Sequence, residues 1–299
     1  MKFSKKLTAF ITGTFLALTT FASTVLAAPE NGDIDWEKGV VRATGTGIST
    51  KGNVGQARAL ARRAAIVDAQ RNLAEQVAGV QVTAETSMRD LEIEYDIVKT
   101  RVAAIIKGMQ MVGEPKWYED GTCEVTLEMP LFGSVNSVAD AAFLPFKDEA
   151  KEPFPQPSTT VTTTVTTTTT TNVEADVPEE ADGTVVAGAI APQYTGLIVN
   201  CSGLGLSPVM SPVIRNDKGQ PIYGYKNLDY DKVIAYGMAD YTRDINNHSR
   251  AGSNPLVVMA VSVENHNAYP VVTISDADSI LIANQGARFL DNTAVVFVR

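Results

Sequence analysis

The sequence predicts an α+β protein. An N-terminal domain of two helices packs on one face of a small, mostly antiparallel sheet, a Thr-rich linker follows, and the chain ends in a second domain of α/β or α+β type. Three stretches predict this. Gly55–Val77 is a long helix signal directly after a strand-like run. Met109–Leu131 alternates like a hairpin with one wet face, so the helices must cover the other face. Thr159–Thr171 breaks the composition, and beyond it short apolar runs alternate with helical stretches.

In chain order, Trp36–Gly47 opens the first domain as a strand ending in Gly45-Thr46-Gly47. Asn53 stands near the N-cap of the helix that follows. That helix carries no Pro and no Gly after Gly55, and it is rich in good helix formers. Ala65, Ala69, Leu73 and Val77 fall four apart, a narrow and mostly alanine stripe that lets a helix lie close on a sheet. Gly79 is the expected stop. Val80, Val82 and Ala84 alternate with Gln81, Thr83 and Glu85, which predicts a half-buried strand. Leu91, Tyr95, Val98, Val102 and Ile105 make the apolar face of a second helix, closed by Gly108. Met109–Tyr118 and Thr122–Leu131 flank an Asp120-Gly121 turn. On the return strand Cys123, Val125, Leu127 and Met129 point to one side. Val135–Phe146 predicts a short helix at the domain edge.

Lys147–Ser158 is charged and Pro-rich, and the threonine run follows it. Such segments bury no core, so residues 147–184 are predicted as an extended linker. In the second domain Leu197–Cys201 predicts a buried strand, and Val213-Ile214 and Ile222-Tyr223 flank an Asn216–Gly219 turn. Tyr230–Asn246 reads as a helix. Leu256–Val263 is a continuous apolar run and so a central strand. Pro270–Ile274 is another strand, Ser275-Asp276 caps a helix over Ala277–Leu290, and Ala294–Val298 closes the chain as a strand.

Residues 1–27 read as a secretory signal peptide: Lys2, Lys5 and Lys6, an uncharged apolar run, and Val25-Leu26-Ala27 before the cut. No Cys follows the run, so the chain is expected to be exported without a lipid anchor. The predicted organisation is therefore leader 1–27, first domain 28–146, linker 147–184 and second domain 185–299. Losing the three leader lysines takes the formal net charge from -9 to -12. That acidity argues against nucleic acid, whose phosphates want Lys and Arg. After cleavage no stretch is long and apolar enough to span a membrane. Cys123 and Cys201 flank the linker and read as buried free thiols on strands, a disulfide between them being the alternative.

Chemistry-bearing motifs are sparse. Gly45-Thr46-Gly47 between a strand and a helix invites a phosphate-loop reading, but it lacks the third Gly of a dinucleotide fingerprint and the Gly-Lys-Ser/Thr of a P-loop. His248 and His266 have no partner at metal-ligand spacing. Asp229-x-Asp231 and Asp276-x-Asp278 lack the Gly and terminal Glu of a calcium loop and read as helix caps. Ser202 and Ser207 lack a nucleophile-elbow context. No catalytic residue, cofactor or metal is predicted. The one candidate interaction surface is the helix face bearing Arg58, Arg62 and Arg63, suited to an acidic neighbour copy or a glycan, the commoner reading being a solvated face with local ion pairs.

The run VVRATGTG, the helix ARALARRAAIVDAQRNLAEQVAGV and the segment IIKGMQMVGEPKWYEDGTCEVTLEMPL resemble the LPP-type (twenty-kilodalton) envelope lipoproteins. They are also similar to the N-terminal domain of flagellar assembly protein T and to flagellar protein P. The resemblance spans about residues 36–131. It implies a non-enzymatic envelope part that works in assembly through contacts with other envelope proteins or copies of itself. The missing lipobox Cys departs from that pattern. A peptidoglycan-binding module, or an exported enzyme with its site in the second domain, are the alternatives.

Overall fold

The computed structural model describes residues 34–158 and 194–299. The signal-peptide reading and the threonine run lie outside the described residues. The fold class is the mixed α+β one that the sequence predicts.

The first half is built on an antiparallel sheet of β1 (Ile34–Asp35), β2 (Val40–Gly47), β3 (Lys116–Trp117) and β4 (Cys123–Pro130), in the order β1-β2-β4-β3. Helix α1 (Val54–Ala78) lies on it and buries Ala61, Ala65, Ala69, Leu73 and Val77. Asn53 caps α1 reciprocally. Its side chain accepts from the Gln56 N–H at 2.9 Å, and the Gln56 side chain accepts from the Asn53 N–H at 3.2 Å. The Gly-Thr-Gly end of β2 is a packing device. A Cβ on Gly45 would sit 2.0 Å from the backbone nitrogen of Ala69, and one on Gly47 2.3 Å from the carbonyl oxygen of Ala61. Glycine on the strand and alanine on the helix together allow this approach.

Three expectations for this half change. Residues 80–84 form no strand, although Val80, Val82 and Ala84 are buried as the alternation requires. Their hydrogen bonds go elsewhere: the carbonyls of Gln81 and Val82 accept from the N–H groups of Met210 and Ser211, in the second half. The expected second helix breaks into α2 (Met88–Glu94) and α3 (Asp96–Gly108), because Tyr95 between them is extended (φ -124°, ψ 106°) and packs its ring edge-on to Phe146. The first hairpin arm also shrinks to β3 and a single bridge from Met111 to Leu127. A short α4 (Val138–Ala142) and a 3-10 turn over Leu144–Phe146 complete this half.

The second half holds two sheets. Strands β5 (Gly196–Asn200), β6 (Ile214–Asn216) and β7 (Pro221–Tyr223) lead to α5 (Tyr230–Tyr236) and β8 (Asp240–Thr242). Then come β9 (Pro255–Met259), β10 (Ser262–Glu264), β11 (Tyr269–Val272), α6 (Ile274–Ala287) and β12 (Val295–Val298). One sheet runs β8-β12-β5-β9, all parallel, with β12 buried along its whole length and β5 along all but its last residue. The other, β10-β11-β6-β7, is mixed.

Three further expectations change here. The helix from Tyr230 stops at Tyr236 rather than Asn246. Gly237 turns the chain at φ 75°, and the Arg250 guanidinium takes up the carbonyls of Tyr236 and Gly237. The cap of α6 is Thr273, two residues earlier than expected, its side chain accepting from the Asp276 N–H at 3.0 Å. The apolar run from Leu256 is an edge strand, not a central one.

One cluster of buried side chains runs through both halves, from Leu73 and Leu127 to Val199 and Phe297. Phe143 stacks on Tyr225 at 5.2 Å, and Trp36 meets Tyr241 edge-on at 5.8 Å. Lys147–Ser158, at the start of the predicted linker, runs along the second half. The Glu152 N–H donates to the Lys226 carbonyl, and Phe154 stacks on Tyr223.

Candidate functional site

The predicted arginine surface is divided by the structure. The Arg58 guanidinium lies 4.5 Å over the Trp117 ring, so it covers an aromatic of β3. Arg62 and Arg63 are exposed and make no ion pair among the described residues. Arg63 borders a shallow depression with Ala64, Val67 and Arg71. Arg58 and Arg63 therefore serve different flanks of α1.

A larger feature lies between the halves, a cleft of about 820 Å³. The sheet register builds its first side. Val271 of β11 pairs with Arg215 of β6, and Tyr269 of β11 pairs with Glu264 of β10. Arg215, Tyr269 and Glu264 thus share one sheet face, with the Arg215 guanidinium 5.5 Å over the Tyr269 ring. The Glu264 carboxylate reaches only to 4.0 Å from Arg215. The break in the helix supplies the opposite side, where Tyr95 joins Phe143, Phe146 and Tyr225. Val82 and Leu91 line the cleft from the first half, and Pro153 and Pro155 from residues 147–158.

The electrostatics are uneven. Glu94, Glu149 and Glu152 line the cleft together with Arg215 and Lys226. Lys226 is occupied by Glu152 at 3.6 Å. Arg215 has no hydrogen bond from its guanidinium among the described residues, and its Nε is buried without a partner. Burial, with Glu149 nearby, pushes the Tyr225 phenol up, so it stays a neutral donor; its hydroxyl donates to the Phe146 carbonyl at 3.3 Å. Burial likewise raises Tyr269, whose hydroxyl lies 3.4 Å from a Glu85 oxygen.

Sequence reasoning missed this cleft. Tyr95 counted as one more residue of an apolar helix face, and Arg215 fell between the Val213-Ile214 strand and the Asn216–Gly219 turn. An arginine directly after the apolar Val213-Ile214 pair was the available signal. The other residues weighed from sequence take local roles. Asp229 caps α5, and Asp276 stands in the first turn of α6, its carboxylate accepting from the hydroxyl of the Thr273 cap at 2.8 Å. The Asp278 carboxylate accepts from the Ser158 N–H. Cys123 and Cys201 are free and buried; Cys123 opens β4 and Cys201 follows β5. Burial pushes the Cys201 thiol up to about 12. Among the described residues no group of three or more His, Cys, Asp or Glu side chains could hold a metal, and no helix is long and apolar enough to cross a membrane.

A third feature is β9. As an edge strand it leaves Val257 50% and Met259 57% exposed, with Val261 51% exposed just beyond. It carries no charge from Pro255 to Val263.

Residues 196–299, from β5 to the last residue, match the family described as Treponema pallidum Tp0624, second domain. No curated protein matches the chain.

Proposed function

We propose that this chain is an exported, non-enzymatic cell-envelope protein that works in assembly through protein–protein contact, a second copy of itself being the first partner. The observation that carries this reading is β9. Its sequence, Pro-Leu-Val-Val-Met, is that of a central strand, yet it has a neighbour on one side only among the described residues. Natural sheets guard an open edge with charge, and this edge has none. Two such edges meeting about a twofold axis would pair antiparallel and extend the sheet from one copy into the next, with Val257 and Met259 at the junction. The leader-like residues 1–27 and the resemblance to LPP-type envelope proteins support the envelope setting.

The test is light scattering on the chain from Ala28 across a concentration series, beside Val257→Lys and Met259→Lys. The wild type should dimerise, and each lysine should return it to monomer with an unchanged circular dichroism spectrum. A wild type that stays monomeric to its solubility limit, or a dimer indifferent to both lysines, removes the proposal.

A further inference from the structure

We infer that the cleft between the two halves binds an organic carboxylate with an apolar body, and that Arg215 takes the carboxylate. The volume of about 820 Å³ lies in the range of small-molecule sites. Of the buried side-chain polar atoms left without a partner among the described residues, Arg215 Nε is the one that lies on this cleft. A buried donor without an acceptor is destabilising, and a bound oxygen would remove that penalty. The guanidinium presents its donors as a planar fork that matches a carboxylate with two parallel hydrogen bonds. The Tyr269 ring lies 5.5 Å beneath it.

The remaining lining selects the rest of the ligand. Tyr95, Phe146, Pro155 and Tyr225, each only partly buried, offer apolar surface facing a body of several carbons. The charge balance selects a monoanion. Lys226 is engaged by Glu152, while Glu94 and Glu149 also line the cleft, and Glu85 and Glu264 stand near its Arg215–Tyr269 side. So acidic a surround repels the second charge of a phosphate more than it repels a carboxylate. Because the lining comes from both halves, an occupant would touch both. This site is separate from β9, and its occupancy does not depend on self-association.

A fatty acid and the free C-terminus of an apolar peptide share this chemistry. Calorimetric titration of the full chain from Ala28 would therefore use decanoate, N-acetyl-Phe-Leu with a free carboxylate, the same dipeptide as its C-terminal amide, and inorganic phosphate. At least one carboxylate should bind and raise the melting temperature. Its affinity should fall about 10- to 100-fold in Arg215→Gln, the size expected for a charged hydrogen-bonded contact. Arg215→Lys should recover part of that loss, since it restores charge but not the fork. Tyr225→Ala should weaken the same probe while leaving its salt dependence in place, and it reads the site even if the Arg215 variants fold poorly. Decanoate alone binding identifies an acyl chain, and the free dipeptide alone a peptide terminus; either supports the site. Binding of neither carboxylate, equal binding of acid and amide, unchanged affinity in Arg215→Gln, or binding of inorganic phosphate alone would overturn it.

Discussion

Replacing Gly45 by alanine adds one methyl group where α1 leaves no space. The new Cβ would stand 2.0 Å from the Ala69 nitrogen, 2.5 Å from the Ala65 oxygen and 2.6 Å from the Ala69 Cα. All three are backbone atoms of one helix, so no rotamer change relieves the clash. Restoring a carbon contact of about 3.5 Å requires α1 to lift from β2 by roughly 1–1.5 Å. The lift would loosen the fully buried Ala61, Ala65, Ala69, Leu73 and Val77 together. Overpacking of this kind costs about 1–3 kcal/mol, and a backbone obstacle places Gly45→Ala at the upper end, near 3 kcal/mol. That is a large part of a total stability of about 5–15 kcal/mol. With a urea slope of about 2–3 kcal/mol per molar, the unfolding midpoint should drop by about 1 M. The control is Gly108→Ala, at the end of α3, where a Cβ meets nothing within 4 Å. It should be neutral or gain up to about 1 kcal/mol from helix propensity. Equal midpoints for the two variants would refute close helix–strand approach as the reason for glycine at position 45.

Two smaller effects follow from the same structure. Asn53→Ala removes the side-chain oxygen that accepts from the Gln56 N–H, leaving the backbone N–H bond to the Gln56 side chain in place, and should lower stability by about 1 kcal/mol, read from the midpoint of a urea melt. Cys201 keeps its proton in the folded state up to about 12, against an ordinary 9.0. Its contribution is thus whole below the unfolded value and is lost as pH rises from there through the folded value. Alkaline melts should show that loss, Cys201→Ala should reduce it, and a thiol reagent at neutral pH should label Cys201 only as fast as the chain opens.

Local physics was legible in the sequence. The α1 stripe, its Asn53 cap and the alternation of β4 each rest on residues a few positions apart, so periodicity alone places them. The two faces of β4, Cys123 to Met129 inward and Glu124 to Glu128 outward, came out as the alternation requires. The same holds for β5, read as a buried strand, and for β12, read as the closing strand.

The misread segments share a cause. At residues 80–84 the alternation was real, but the carbonyls found their partners in Met210 and Ser211, more than a hundred positions away. The break at Tyr95 answers to Phe146, and the early end of α5 to Gly237 and Arg250. For β9 the composition was read correctly and the position wrongly, because a continuous apolar run states how much burial a strand wants and not whether a neighbour is present.

By itself, then, the sequence determined the fold class, the long helix and the small residues that bring it against its strand. These depend on side-chain size and spacing within one stretch of chain. Only the tertiary structure decided that Arg215 and Tyr269 share a sheet face, that Tyr95 and Tyr225 stand across a cleft from them, and that β9 lies at an edge. Those facts depend on how distant segments pair. Hydrogen bonds and burial set that pairing between the halves, and no period along the chain records it.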